Sequence, residues 1–215
     1  QYHLKEKKFS TITEEEGKDI VGTLVPFDHQ ENLTYINDIK HIYELDDQTS
    51  RLKTVFECYT DTVISSVSHD EQGHFWIGSN FGLIHYDPVL KSRTLVPTNL
   101  FTEINMVLCD QKGKVWIGVD NMLFAYFIKE QKFVLFGESN GAIQNEYLPN
   151  ARLVNEQGDA YIGGVKGMLR IDGQLLLNTS EMPELQLLDI TINGESANHE
   201  WYNHPAKISV PWNSN

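Results

Sequence analysis

The sequence predicts an all-β chain: β-propeller blades of four antiparallel strands, a fragment of a longer propeller, followed by the beginning of a β-sandwich. Three observations lead there. The stretch "GHFWIGSNFGLIHYD" (Gly73 to Asp87) recurs as "GKVWIGVDNMLFAYF" (Gly113 to Phe127) and as "GDAYIGGVKGMLRID" (Gly158 to Asp172). The steps are 40 residues from Gly73 to Gly113 and 45 from Gly113 to Gly158, the period of a propeller blade. Within each copy, apolar runs of strand length are separated by polar turns that carry glycine.

Each strand of the unit has its own signature. "VISSVSHD" (Val63 to Asp70) and "EINMVLCD" (Glu103 to Asp110) supply a first strand, ending in polar turns "EQG", "QKG" and "EQG" whose glycine admits positive φ. "FWIG", "VWIG" and "AYIG" form the second strand, where a large aromatic suits a pleated, covered surface. Gly78, Gly118 and Gly163 predict close approach of neighbouring backbones. "GLIHYD" and "GMLRID" form the third strand, and "RTLVP" or "KFVLFG" the fourth. Met122 stands where the other copies have Gly82 and Gly167, which predicts a reshaped loop. A fainter copy, "NLTYINDIKHIYELD" (Asn32 to Asp46), places Tyr35 in the aromatic position. Tyr35, Trp76, Trp116 and Tyr161 are therefore expected to be buried between blades. A phosphate-binding loop is excluded: no helix pattern follows the glycines and no lysine completes the motif.

The ends differ from the repeats. "YHLKEKKF" (Tyr2 to Phe9) is similar to "YFIKEQKF" (Tyr126 to Phe133), the junction of a third and a fourth strand, so the chain is expected to start inside a blade. Two arrangements follow: closure of a four-bladed ring by the N-terminal strand, or a segment of a longer propeller, which is the reading adopted. After Asp172, "GQLLLNTSEMP" reads as a strand and linker, "ELQLLDITINGE" as a strand closed by Asn193-Gly194, and "AKISVPWNSN" as the start of another strand. The expected division is 1–178 for the propeller repeats and 179–215 for a truncated sandwich.

Composition narrows the function classes. A net charge of −13 argues against direct contact with nucleic acid, which requires a basic face. Apolar residues make up 40% without a run able to cross a bilayer. No cationic, apolar segment opens the chain, so any secretion signal is expected to lie outside it or to have been removed. Cys58 and Cys109 show no metal-ligand spacing and are expected to be free thiols. "HEWYNH" spaces His199 and His204 five apart, whereas a helical zinc motif needs four. No nucleophile elbow is present. Neither a catalytic residue, a metal nor a cofactor is expected.

The repeat pattern D-x-x-G-x-[aromatic]-I-G-x-x-x-G-[apolar] resembles the two-component regulator propeller repeat. The stretch from Gly137 to Asp172, with Asn140-Gly141, Asn145-Glu146-Tyr147 and "YIGGVKG", looks like the closing blade of such propellers. "PELQLLDITINGE" is similar to the opening of the immunoglobulin-like triple-tyrosine domain that follows them. The resemblance implies the periplasmic sensor region of a bacterial hybrid two-component system, in a membrane-anchored receptor with a cytoplasmic histidine kinase. It further implies an oligosaccharide ligand and control of carbohydrate-use genes. Open strand edges favour self-association, here taken as a homodimer.

The candidate ligand residues are Asn140, Gln144, Asn145, Glu146, Tyr147, Asn150 and Arg152. Amides and a carboxylate suit sugar hydroxyls, a tyrosine can cover a sugar face, and an arginine can pair with an acidic sugar or a sulfate. The same residues can instead fasten the last blade through side-chain-to-backbone bonds. A carbohydrate-active lyase or hydrolase is the alternative to a sensor.

Overall fold

The computed structural model describes residues 34–46, 49, 51–100 and 102–173, together with the backbone of short strands nearer the two ends. The chain divides into two compact units, Gln1–Leu176 and Leu177–Asn215. The expected strands around 174–178 and 207–212 and the His199/His204 pair lie outside the described residues.

In the first unit, β1 (Tyr2–His3) and β2 (Lys8–Phe9) form a hairpin. It pairs Tyr2 with Phe9 just as Tyr126 pairs with Phe133, so the internal similarity read from the sequence extends to strand register. A five-stranded sheet follows, built from β3 (Thr13–Glu14), β4 (Thr23–Leu24), β5 (Thr34–Asn37), β6 (His41–Asp46) and β7 (Arg51–Glu57). Its order is β3-β7-β6-β5-β4. β4 to β7 are the expected antiparallel blade, and β3 adds a parallel strand outside β7.

Two regular blades come next. One holds β8 (Ile64–His69), β9 (Phe75–Ser79), β10 (Gly82–Asp87) and β11 (Ser92–Leu95). The other holds β12 (Met106–Cys109), β13 (Lys114–Val119), β14 (Met122–Phe127) and β15 (Lys132–Phe136). A 3₁₀ turn, Glu138–Asn140, leads into a sheet of β16 (Tyr147–Val154), β17 (Ala160–Gly164) and β18 (Gly167–Ile171). In the second unit, β19 (Thr191–Ile192) pairs with β20 (Glu195–Ser196) on either side of Asn193-Gly194.

The core lies between sheets. Tyr35, Ile42 and Phe56 of the first blade pack with Ile64, Val67, Phe75, Ile77 and Tyr86 of the second. Trp76, Leu83 and Val96 pack in turn with Val107, Val115, Ile117 and Phe124 of the third. Side chains alternate faces along a strand, so Phe75 and Trp76 serve opposite neighbours and β9 is buried along its whole length. The outer strand β11 is exposed throughout.

The glycines mark the joints. A Cβ on Gly78 would come within 2.7 Å of Ile104 Cγ2, and one on Gly118 within 2.9 Å of the Tyr147 Cβ, both across a blade junction. Ser66 and Ser68 of β8 accept hydrogen bonds from Val107 and Cys109 N–H of β12, each at 2.9 Å, and tie adjacent inner strands together. The turn glycines Gly73, Gly113 and Gly158 have φ of 84°, 84° and 83°. At the second-to-third-strand turns the loop length is conserved, since Val119 pairs Met122 as Ser79 pairs Gly82. The positive φ moves instead from glycine (Gly82, Gly167) to Asp120, the reshaping that Met122 implied.

Tyr35, Trp76 and Trp116 are buried as expected, at 7, 3 and 1% exposure. Tyr161 is only half-buried. Among the described residues no four-stranded sheet follows β18.

Candidate functional site

Antiparallel order places two kinds of connection at the same end of the strands: the second-to-third-strand turns and the segments that lead from one blade to the next. Hydrogen bonds stitch these together. Ile64 and Cys58 N–H donate to Ile39 and Lys40 C=O at 2.9 and 2.8 Å. Lys40 Nζ donates to Thr60 and Thr62 C=O, both at 2.6 Å. Asn80 Oδ1 accepts from Val63 N–H at 2.8 Å, and its Nδ2 donates to Asp61 C=O at 3.0 Å. Asn145 N–H donates to Asn121 C=O at 3.1 Å. The rim is hydrogen-bonded backbone, and connecting segments held on a scaffold are where recognition residues concentrate.

On this rim, where the first and second blades meet, lies a cleft of about 420 Å³ lined by Phe56, Cys58, Tyr59, Phe81, Ile84, Arg93 and Leu95 among others. That volume falls in the small-molecule range. Tyr59 and Phe81 are 68 and 53% exposed. Arg93 lies over the Tyr59 ring, its Cζ 4.1 Å from the centroid, and donates to Glu57 C=O at 3.0 Å. Burial pushes the Cys58 thiol up, against the pull of Lys40 and Arg93. The combination of exposed aromatic rings, one with Arg93 over one face, and a guanidinium hydrogen-bonded to the backbone can cover an apolar sugar face while donating to hydroxyls or an anionic group. Its residues come from β7, β10, β11 and two connections, and no sequence motif unites them.

The residues singled out from the sequence do not form one site. Asn140 closes the 3₁₀ turn, with Gly141 beyond it at φ 85°. Asn145 is buried at 1% exposure: its Oδ1 accepts from Lys166 N–H at 2.9 Å and its Nδ2 donates to Gly167 C=O at 3.3 Å. A side chain on Gly164 would occupy the space that Asn145 fills. Tyr147, also 1% exposed, donates from its hydroxyl to Ile143 C=O at 3.1 Å. These two fasten the last blade. Gln144, Glu146 and Asn150 are exposed.

Arg152 turns inward. Its Nη2 donates to Val67 C=O at 2.6 Å, from β16 to β8 across 85 residues of sequence. Its Nε and Nη1 are sealed from solvent without a hydrogen-bond partner. Burial pulls its pKa down to about 10. Cys109 beside it is buried and free, and burial pushes its thiol well up.

No protein-family model matches the chain. No curated protein matches it in sequence either. Solved structures do match. Two structures of the extracellular domain of BT4673 from B. thetaiotaomicron, described in one as a one-component and in the other as a hybrid two-component system, superpose with TM-scores of 0.51 and 0.53. They share 17 and 18% identity and cover 80 and 74% of this chain. An auxiliary nutrient binding protein from Bacteroides thetaiotaomicron superposes with a TM-score of 0.53 at 13% identity, over 68% of this chain and 37% of that one. The fold is a β-propeller. The chain spans 22% of the length of the BT4673 domains, and at these identities the likeness concerns fold.

Proposed function

We propose that this chain is part of the periplasmic sensor region of a hybrid two-component histidine kinase/response regulator. In this reading it binds a glycan-derived oligosaccharide and governs transcription of carbohydrate-use genes. The full-length protein is anchored in the inner membrane and acts as a homodimer. The propeller likeness to the BT4673 extracellular domain supports this reading, as does the closing-blade and sandwich pattern in the sequence. The observation that carries the ligand assignment is the aromatic cleft of Tyr59, Phe81 and Arg93. Gln144 and Glu146 are exposed in a blade connection at the same end of the strands.

Calorimetric titration with neutral, acidic and sulfated oligosaccharides tests the proposal. Saturable binding without turnover is expected, and Tyr59→Ala should weaken it about tenfold (~1.4 kcal/mol). Product formation would establish the enzyme reading instead. Binding that is indifferent to Tyr59→Ala and Arg93→Ala would remove the cleft as its seat.

A further inference from the structure

At the opposite end of the strands, blade two differs from its neighbours in a way that points to a metal. The repeat aligns His74 with Lys114 and Asp159, and His85 with Ala125 and Arg170. In the last blade Asp159 and Arg170 form a cross-strand ion pair at 2.7 Å. In the third, Lys114 pairs with Asp110 at 2.8 Å. Blade two has two histidines in this place, and the carboxylates beside them, Asp70 and Asp87, face imidazoles rather than a lysine or an arginine. His74 Nδ1 and His85 Nε2 lie 3.0 Å apart.

Asp70 stands beside them, and one ligand atom from each of Asp70, His74 and His85 lies within 4.8 Å of the others. Asp70 is held in place: Oδ1 accepts from Gln72 and His74 N–H at 2.9 and 3.0 Å, and Oδ2 accepts from Trp76 Nε1 at 2.8 Å. Oδ2 retains a lone pair. Trp76 also packs on the His85 ring at 4.5 Å. The far nitrogen of His74, Nε2, faces Asp87 Oδ2 at 3.6 Å, the outer carboxylate that commonly orients a metal-binding imidazole.

We infer that Asp70, His74 and His85 form a site for a zinc-class divalent cation, which cross-links β9 and β10 where the last blade uses the Asp159–Arg170 ion pair. Two imidazoles on a tetrahedral zinc with Zn–N of about 2.0–2.1 Å stand roughly 3.3 Å apart, so the pair needs to open by only a few tenths of an ångström. Three protein ligands leave a fourth position for water or a ligand oxygen. Two nitrogens and one oxygen favour zinc over calcium or magnesium.

The test is zinc titration of the metal-stripped 215-residue chain by calorimetry, with cobalt substitution read by its visible absorption. One zinc per chain is expected, together with a raised melting temperature and a cobalt spectrum of tetrahedral intensity. His74→Ala and His85→Asn should each abolish the cobalt signal while the apo chain stays folded. Asp87→Asn should weaken affinity about tenfold. His41→Ala, at the other end of the strands, should leave binding intact. A chain that takes up no zinc in the micromolar range overturns the site. Loss of binding in His41→Ala but not in His85→Asn overturns it as well. If His85→Asn fails to fold, the imidazole nitrogen resonances of the wild-type chain decide: unchanged on zinc addition, they refute ligation.

Discussion

At the scale of single residues, the joints between blades are set by what is missing from a side chain. Gly118 is the sharpest instance, because the Cβ it lacks would sit 2.9 Å from the Tyr147 Cβ and 3.2 Å from the Met106 Cβ. Neither neighbour can swing aside, since both contacts are at the root of the side chain. Gly118→Ala is therefore expected to destabilise the first unit by about 1–3 kcal/mol through overpacking, read as a drop in the thermal midpoint. An unchanged midpoint would mean that the third and fourth sheets slide apart freely. The glycine is legible because it repeats, while its partner Tyr147 suits two roles in sequence, covering a sugar face or fastening the last blade, and its burial shows the second.

At the scale of the element, blades two and three and the last sheet each carry a polar latch at the end opposite the rim, built on Asp70, Asp110 and Asp159. In the last sheet the latch centres on Asp159, which accepts from Gly173 N–H at 2.9 Å and from Arg170 Nη2 and Nε at 2.7 and 3.1 Å. The Gly173 N–H, and then Arg170, hold its carboxyl below the usual value of 3.8. A carboxyl depressed in the folded state contributes stability that is present above its unfolded pKa and lost as pH falls through its folded one. Asp159→Asn should thus melt below the wild type at neutral pH, with the gap closing once the pH passes below 3.8. Melts recorded across that range check the sign, and a gap that persists in acid would contradict it. The latch was not visible beforehand, because Asp159 and Arg170 belong to strands whose register fixes the pair only after β17 meets β18.

At the scale of the whole first unit, inner strands from non-adjacent sheets meet through Arg152. The bond to Val67 C=O joins β16 to β8, while two guanidinium nitrogens remain buried and unpaired. A buried guanidinium with two nitrogens unpaired carries a desolvation cost that an apolar side chain of similar length does not. Arg152→Met should accordingly melt at or above the wild-type temperature. If Arg152 also meets an anionic ligand group, the same variant loses ligand-induced stabilisation while keeping its fold. A large fall in melting temperature without ligand would instead make the Val67 bond an essential strut.

The sequence by itself determined the blade period, the position of each second strand, the turn glycines at positive φ and three of the four aromatic residues between sheets, Tyr161 being the exception. These follow from local constraints: strand alternation, glycine's conformational range and the need to cover both faces of a blade. Even the register of the β1–β2 hairpin was foreshadowed by its similarity to Tyr126–Phe133. Only the tertiary structure decided which polar residues are fasteners and which are free to bind. Asn145 and Glu146 are neighbours in sequence, yet one is buried among backbone partners and the other faces outward, because alternate side chains at a blade junction point to opposite sides. The Tyr59–Phe81–Arg93 cleft and the His74–His85 pair are likewise products of pairing. Their members are 11 to 34 positions apart in the chain, and neither hairpin register nor blade packing can be read one strand at a time.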